Sequence, residues 1–563
     1  MTTARHDEIH QLLTDARSVC DLLRATAGKY PDHIALRSYE TGVEWTYRQA
    51  ITRIGAVAER LRELGVARGD TVALMMRNIP QFHIVDAALM MLGAVPFSVY
   101  NTLPAEDVRH VLANAGACVV IAESGFVPVL RRATELGAPL GQLLAVDAAA
   151  EDGQDLLAEL AAEETTFDFG AADEVGPDDL LTLIYTSGTT DPSKGVELTH
   201  AGMLTQLRGI HAVHPLDGHG RQISFLSAAH VADRWSSHYS AFMTYANTLT
   251  CVADAANLPA CVAETEPTVF GGVPRVWEKF KTALELQFPG DLLAEVVADP
   301  ALGQRLLQRL GLGSTLWAVT GAAPTPRAVI DFFVTLGLPL CELLGMSETS
   351  CAIATNTPDE LRPGSVGRAL PGVEIALAPD GELLVRGPQL MRGYRGQPEK
   401  TAEAIDGEGW LHTGDIASIE DGTIWIVDRK KELLITSGGK NLSPANIEMA
   451  VRSAGNLISQ VCAIGDGLPY VVALVVADPA AAGAIDTSHS DLYEQVNKQI
   501  QRANTTLARV AQIKKFKILD SEWTPGVELT PTLKLRRAAI LDKYTTEIAE
   551  LYTASSAGVG NVT

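Results

Sequence analysis

The sequence predicts an α/β protein: a large N-terminal body of parallel sheets with flanking helices, a small barrel-like region, and a smaller α+β C-terminal domain. Two observations point there. Between residues 50 and 130, short apolar runs alternate with segments of helical period, the signature of strand–helix–strand units whose strands pair in parallel. After about residue 365 the texture changes to short apolar runs separated by glycines, which suits antiparallel strands or a small barrel.

The elements follow in order. Residues 50–64 and 81–92 have helical period, and 70–75 reads as a short strand. The run CVVIA at 118–122 reads as a buried strand, and LLTLIY at 180–185 continues the style. Residues 249–316 continue it less regularly. Beyond 365, strands are expected at 373–377, 382–386 and 423–427, then a charged run at 428–433. Helices are expected at 444–453 and 491–507; the second carries Leu492, Val496, Ile500, Ala503 and Leu507 near one stripe.

Composition narrows the class. The 563 residues are 47% hydrophobic and 20% charged, as in a folded enzyme with a large core. Forty-five Lys and Arg against 68 Asp and Glu give a formal charge of -23. Such a chain is repelled by phosphate backbones and lacks a basic membrane-binding face, which argues against nucleic acid as a partner. Seven cysteines, none in a CxxC pair, read as free thiols in a reducing cytosol. The opening MTTARHDEIHQLL has no apolar signal core, and the longest apolar stretch, 87–99, is too short to span a bilayer. The expectation is a cytoplasmic protein without stable membrane insertion; its oligomeric state is not readable.

The segment YTSGTTDPSKGV at 185–196 carries the strongest chemical signal. It follows an apolar strand and concentrates five hydroxyls, two glycines and a lysine. Glycines let backbone approach an anion, N–H groups and hydroxyls donate to phosphate oxygens, and the lysine supplies charge. The spacing is not that of a Walker loop. Further along stand GMSET at 345–349, Gly393-Tyr394, WLHTGD at 410–415, DRKKEL at 428–433, SGGK at 437–440 and PTLK at 531–534.

Together these seven segments resemble, in order, the motifs of the adenylate-forming (ANL) superfamily: acyl-CoA synthetases, luciferases and peptide-synthetase adenylation domains. Ala229-His-Val231, Arg234-Trp235 and GVPRVWEK at 272–279 give the flavour of long-chain fatty acyl-CoA synthetases. The resemblance implies an AMP-binding adenylation domain at 1–427, a hinge at 428–433 and a mobile C-terminal domain at 434–563. It implies ATP, Mg2+ and coenzyme A as reactants, with a small-molecule acid as substrate.

Residue roles follow from the same resemblance. Thr186, Ser187, Gly188, Thr189, Thr190 and Lys194 match the phosphate loop. Glu348 matches the magnesium carboxylate, as a hard cation prefers oxygen ligands, and Thr349 stands beside it. Asp415 matches the ribose-binding carboxylate and Arg429 an arginine on the nucleotide. Lys431 matches the hinge. Lys534 matches the catalytic lysine, whose ammonium stabilises charge on the bridging oxygens as pyrophosphate leaves. Gly438, Gly439 and Lys440 match the region brought in for the thiol step, where glycines let a pantetheine approach. His230, Trp235, Gly321 and Ala322 are assigned to the acid pocket.

The pattern departs in places. Asp191 stands where the family has glycine, bringing a negative charge toward the triphosphate. The stretch 279–315 is short beside typical long-chain enzymes. Arg234, His238 and Tyr239 add polar groups near the pocket, which suggests an unusual acid. The leading expectation is therefore a fatty or aryl acid–CoA ligase. The alternatives are the same ATP chemistry on another acid, such as nitrite for diazotisation of an aromatic amine, or transfer to a carrier protein, and last an inactive nucleotide-binding scaffold.

Overall fold

The computed structural model describes residues 2–149, 154–186, 192–288, 292–437, 440–483, 489–524, 526–530, 534–553 and 560–561. The first parallel sheet forms where the alternating pattern predicts it. Its strands Val95–Ser98, Thr71–Met75, Val119–Ala122 and Gln142–Ala145 lie side by side, all parallel. Helices Tyr47–Glu63, Ala105–Ala115 and Val127–Glu135 connect or cover them. Helix Pro80–Met91 has almost no polar face, and nearly every residue in it is buried; a helix apolar all round belongs in the middle of a body rather than on its surface.

A second sheet joins Glu44–Thr46, Ile34–Ser38, Thr248–Cys251 and Arg221–Ser224. The largest sheet has nine strands. Val269–Gly272, Trp317–Gly321 and Leu340–Met346 run parallel, and the chain then reverses into Cys351–Thr355. The antiparallel strands expected after residue 365 continue this same sheet as Arg368–Ala369, Thr423–Arg429, Leu411–Glu420, Glu382–Arg386 and Glu374–Leu377. The small barrel-like region of the sequence reading is this antiparallel half. Three further strands, Leu180–Thr186, Lys194–Thr199 and Gly393–Tyr394, form a separate antiparallel sheet.

Beyond Arg429 the pairing partners change completely. A hairpin pairs Leu434–Ile435 with Asn441–Leu442, and a new sheet orders Ile458–Ile464, Val471–Ala477, Ile513–Leu519 and Gly560–Asn561. Alternation along its central strand sorts two cores. Val471, Ala473 and Val475 face helices Pro444–Ser453 and His489–Thr506. Val472, Leu474 and Val476 face Ile540, Tyr544 and Leu551 of the last two helices, as period two requires. The expected stripe on His489–Thr506 packs here through Val496, Ile500 and Ala503. All seven cysteines are free thiols, six of them buried. Among the described residues no helix is long and apolar enough to cross a membrane.

Candidate active site

The phosphate-loop segment lies between two antiparallel strands. Strand Leu180–Thr186 delivers Thr186 opposite Lys194, the first residue of the returning strand. Ser187, Gly188, Thr189, Thr190 and Asp191 lie outside the described residues. Lys194 Nζ sits 4.6 Å from the ring centroid of Tyr394.

Glu348 is placed by a tight reversal between Leu340–Met346 and Cys351–Thr355. A Cβ on Gly345 would lie 1.9 Å from the Cys351 carbonyl oxygen, so only glycine fits. Ser350 and Cys351 take φ of 54° and 100°, the left-handed strain that tends to collect at functional sites. The Thr349 hydroxyl donates to the Met346 and Cys351 carbonyls and accepts from Met346 N–H. Its bonds therefore hold the turn rather than reach outward. Glu348 itself is buried, and its Oε1 accepts from the Tyr394 hydroxyl at 2.9 Å.

Asp415 and Arg429 sit directly opposite on neighbouring strands, with Arg429 Nε 2.7 Å from Asp415 Oδ1. Burial raises the Asp415 carboxyl above its ordinary range, opposed by Arg429 and Lys534. The turn at 430–432 follows directly after Arg429. Lys430 Nζ binds Asp380 at 2.5 Å and Glu382 at 3.0 Å, both on the nine-stranded sheet side. Glu432 instead faces Arg537, at 3.8 Å, and Arg537 is held by Glu448 at 2.7 Å within the C-terminal core. Lys431 is exposed between these two anchorages.

Lys534 donates its N–H to Thr530 Oγ1 and its carbonyl accepts from Thr530 N–H, while Leu529 bridges Leu535. The side chain keeps an open face toward solvent, yet its ammonium lies in a crowded cleft. Crowding lowers its pKa, Arg429 adds to the fall, and Asp415, Glu432 and Glu348 oppose it. The ammonium thus lies within electrostatic reach of Asp415 and Glu348 of the N-terminal body. Lys440 exchanges two bonds with Thr436, its N–H donating to Thr436 Oγ1 and its carbonyl accepting from Thr436 N–H; Gly438 and Gly439 lie outside the described residues.

His230 caps a helical turn, its Nδ1 accepting from Ala232 N–H at 3.1 Å. That bond leaves the hydrogen on Nε2. Burial, with Lys534 nearby, lowers its pKa to about 4, so the ring is neutral near pH 7. Trp235 is buried with Nε1 unpartnered. Gly321 passes close to the next strand, where a Cβ would meet the Leu343 oxygen at 2.9 Å. Ala322 takes φ 68°.

The structure gives the polar groups near this pocket a different place from the one the sequence suggests. Arg234 and His238 are fully buried and converge on Asp86, at 2.7 and 2.9 Å. Arg234 also donates to Ser98, to Tyr239 and to the Ala228 carbonyl. His238 Nδ1 faces His83 Nδ1 at 2.9 Å. The network rivets helix Pro80–Met91 to the π-helix Arg234–Phe242, so these buried side chains are engaged by the protein's own groups. Sequence reasoning missed Asp86 and His83. The available signal was two ionisable residues three apart in a helix whose one other polar residue is Gln81. It also passed over the Tyr394 side chain, although its motif was noticed.

Comparison with known proteins bears on the family and the fold. The family model for AMP-binding enzymes matches residues 23–395, and that for the AMP-binding enzyme C-terminal domain matches 431–556. A long-chain-fatty-acid–CoA ligase of Mycobacterium tuberculosis is 33% identical, over 93% of this chain and 95% of its own length. Among solved structures, the adenylation domain of a carboxylate reductase from Mycobacterium chelonae superposes with a TM-score of 0.81 at 20% identity, covering 97% of this chain and 93% of that one. An anthranilate CoA ligase bound to anthranoyl-AMP gives 0.76 at 20% identity, covering 94% and 98%.

Proposed function

The chain belongs to the family of AMP-binding enzymes and is an AMP-forming, adenylating ligase; from that premise we propose that it joins a fatty or aryl carboxylic acid to coenzyme A. In the first half-reaction a carboxylate oxygen of the acid attacks the α-phosphorus of ATP, and the bond to the β-phosphate breaks to release pyrophosphate. In the second, the thiol sulfur attacks the acyl carbon, AMP leaves with the bridging oxygen, and the thiol proton passes to solvent.

What supports this reading is the Asp415–Arg429 pair at 2.7 Å, with Lys534 near enough for the charges of Asp415, Arg429 and Glu348 to act on its ammonium. A cation there meets the charge that builds as pyrophosphate departs. Asp415, held by Arg429, offers its carboxylate to the ribose hydroxyls. Thr186 and Lys194 flank the triphosphate. Glu348 fits a magnesium ion by donor chemistry: one oxygen is taken by Tyr394, and no described side chain bonds the other.

Lys431 serves as the pivot between an N-terminal part at 1–427 and a C-terminal part at 434–563. Support comes from its neighbours, since Lys430 is tied to one side and Glu432 to the other. Rotation there withdraws Lys534 and carries Lys440 and its glycines toward the adenylate. With Arg234, His238 and Tyr239 engaged elsewhere, the argument for a polar acid loses its basis, which favours a carboxylic acid. A panel of fatty acids, aryl acids and nitrite, scored for pyrophosphate with and without coenzyme A, tests the reading. Pyrophosphate with a carboxylic acid plus a CoA thioester is expected. Turnover with nitrite alone, or acyl-adenylate that never reaches CoA, contradicts it.

A further inference from the structure

Tyr394 touches both ends of the expected triphosphate site. Its hydroxyl donates to Glu348 Oε1 at 2.9 Å, and its ring lies 4.6 Å below Lys194 Nζ. These partners are 46 and 200 residues away in the chain, so the meeting is a product of the fold. The tyrosine is itself rigidly held. It pairs with Val196 on the strand that begins with Lys194. Its N–H donates to Thr401 Oγ1 at 2.9 Å, and Arg395 N–H donates to the Gly195 carbonyl at 2.7 Å. A Cβ on the preceding Gly393 would meet the Thr401 side chain at 2.9 Å, so a larger residue there would displace the hydroxyl that accepts from Tyr394 N–H.

We propose that Tyr394 is a positioning residue for MgATP, setting the Glu348 carboxylate and the Lys194 ammonium at a fixed spacing. The inference rests on the reading that these two residues meet the cation and phosphates of ATP. The hydroxyl occupies one carboxylate oxygen and turns the other outward; the ring face attracts the ammonium and confines a long flexible side chain. The two contacts separate chemically, because one belongs to the oxygen and the other to the ring. Partners of this kind behind a metal ligand typically change metal affinity 10- to 100-fold when removed.

Calorimetric titration of the full-length protein with MgATP, and with ATP in excess chelator, reads the two contacts apart. Tyr394→Phe keeps the ring and removes the hydroxyl. It is expected to weaken MgATP about tenfold while metal-free ATP stays within about twofold of wild type. Tyr394→Leu removes both contacts and is expected to weaken both forms. If the hydroxyl acts through Glu348, the Glu348→Gln/Tyr394→Phe double variant binds MgATP no worse than Glu348→Gln alone. Equal weakening of both ATP forms by Tyr394→Phe, unchanged MgATP binding, or fully additive effects in the double variant would overturn the proposal. Wild-type protein that binds neither form overturns the ATP-site reading, and the proposal with it. Wild type that binds both forms while Tyr394→Phe behaves as wild type overturns the proposal alone.

Discussion

Replacing Asp86 by Ala removes the acceptor on which Arg234 and His238 converge. Both partners are fully buried, with Arg234 at 2.7 Å and His238 at 2.9 Å. Burial pushes the Asp86 carboxyl up, but Arg234 and His238 outweigh it and hold the group below its ordinary range. The carboxylate is therefore charged, and its loss strands a buried guanidinium. Unit charges some 4 Å apart attract by about 4 kcal/mol at an effective dielectric of 20, which matches the 3–5 kcal/mol typical of breaking a buried pair by removing one member. We expect Asp86→Ala to cost about 4 kcal/mol, read as the urea midpoint of tryptophan fluorescence. Because Arg234 also holds the Ala228 carbonyl just before His230, the Michaelis constant for the acid rises too. Asp86→Ala/Arg234→Met should recover at least about 2 kcal/mol relative to the sum of the single changes. A single-variant cost below about 1 kcal/mol, or an additive cycle, refutes the reasoning.

Lys534→Ala should cut pyrophosphate release about a hundredfold or more while sparing thioester formation from supplied acyl-adenylate; equal loss of both steps in folded protein removes the lysine from its role. Since its ammonium is held below the ordinary lysine pKa of 10.5, the alkaline limb of pyrophosphate release should fall below that value, and a limb at or above it argues against the crowded cleft. Asp233 is buried, which raises its carboxyl to about 7 against the hydrogen bonds from Ser237 and Ser224. The folded state thus keeps a proton the unfolded chain loses near pH 4. Stability from this group is present below the unfolded pKa and lost as pH rises to about 7. Asp233→Asn should stabilise at pH 8, with the gain shrinking toward pH 4; unfolding midpoints parallel to wild type across that range contradict it.

The elements that announced themselves were those whose burial pattern is local. Strands 70–75 and 118–122 read as buried runs and form within a residue of expectation, at Thr71–Met75 and Val119–Ala122. The stripe on His489–Thr506 was legible because one helix face alone is packed. Other features depend on what the chain meets after folding. The π-helix Arg234–Phe242 forms over the Asp86 network, and nothing in its own residues specifies an i to i+5 pattern. Leu411–Glu420 was noticed for its motif, not as the long strand that sets Asp415 opposite Arg429. The motif residues were visible as types in order. Their proximity was not, because Lys534 follows the last long strand of the C-terminal region while Glu348 sits in the turn after Leu340–Met346, and no local signal joins a lysine to a carboxylate 186 residues earlier.

Transfer of isotope tests the adenylate most directly. An acid that turns over is labelled with 18O in both carboxylate oxygens and incubated with enzyme, ATP and coenzyme A, and the AMP is weighed by mass spectrometry. Attack of the carboxylate on the α-phosphorus, followed by thiol attack at carbon, leaves one labelled oxygen on AMP. Each AMP formed should therefore carry one 18O and the thioester one. Unlabelled AMP, or label recovered in phosphate or pyrophosphate instead, contradicts an acyl-adenylate intermediate.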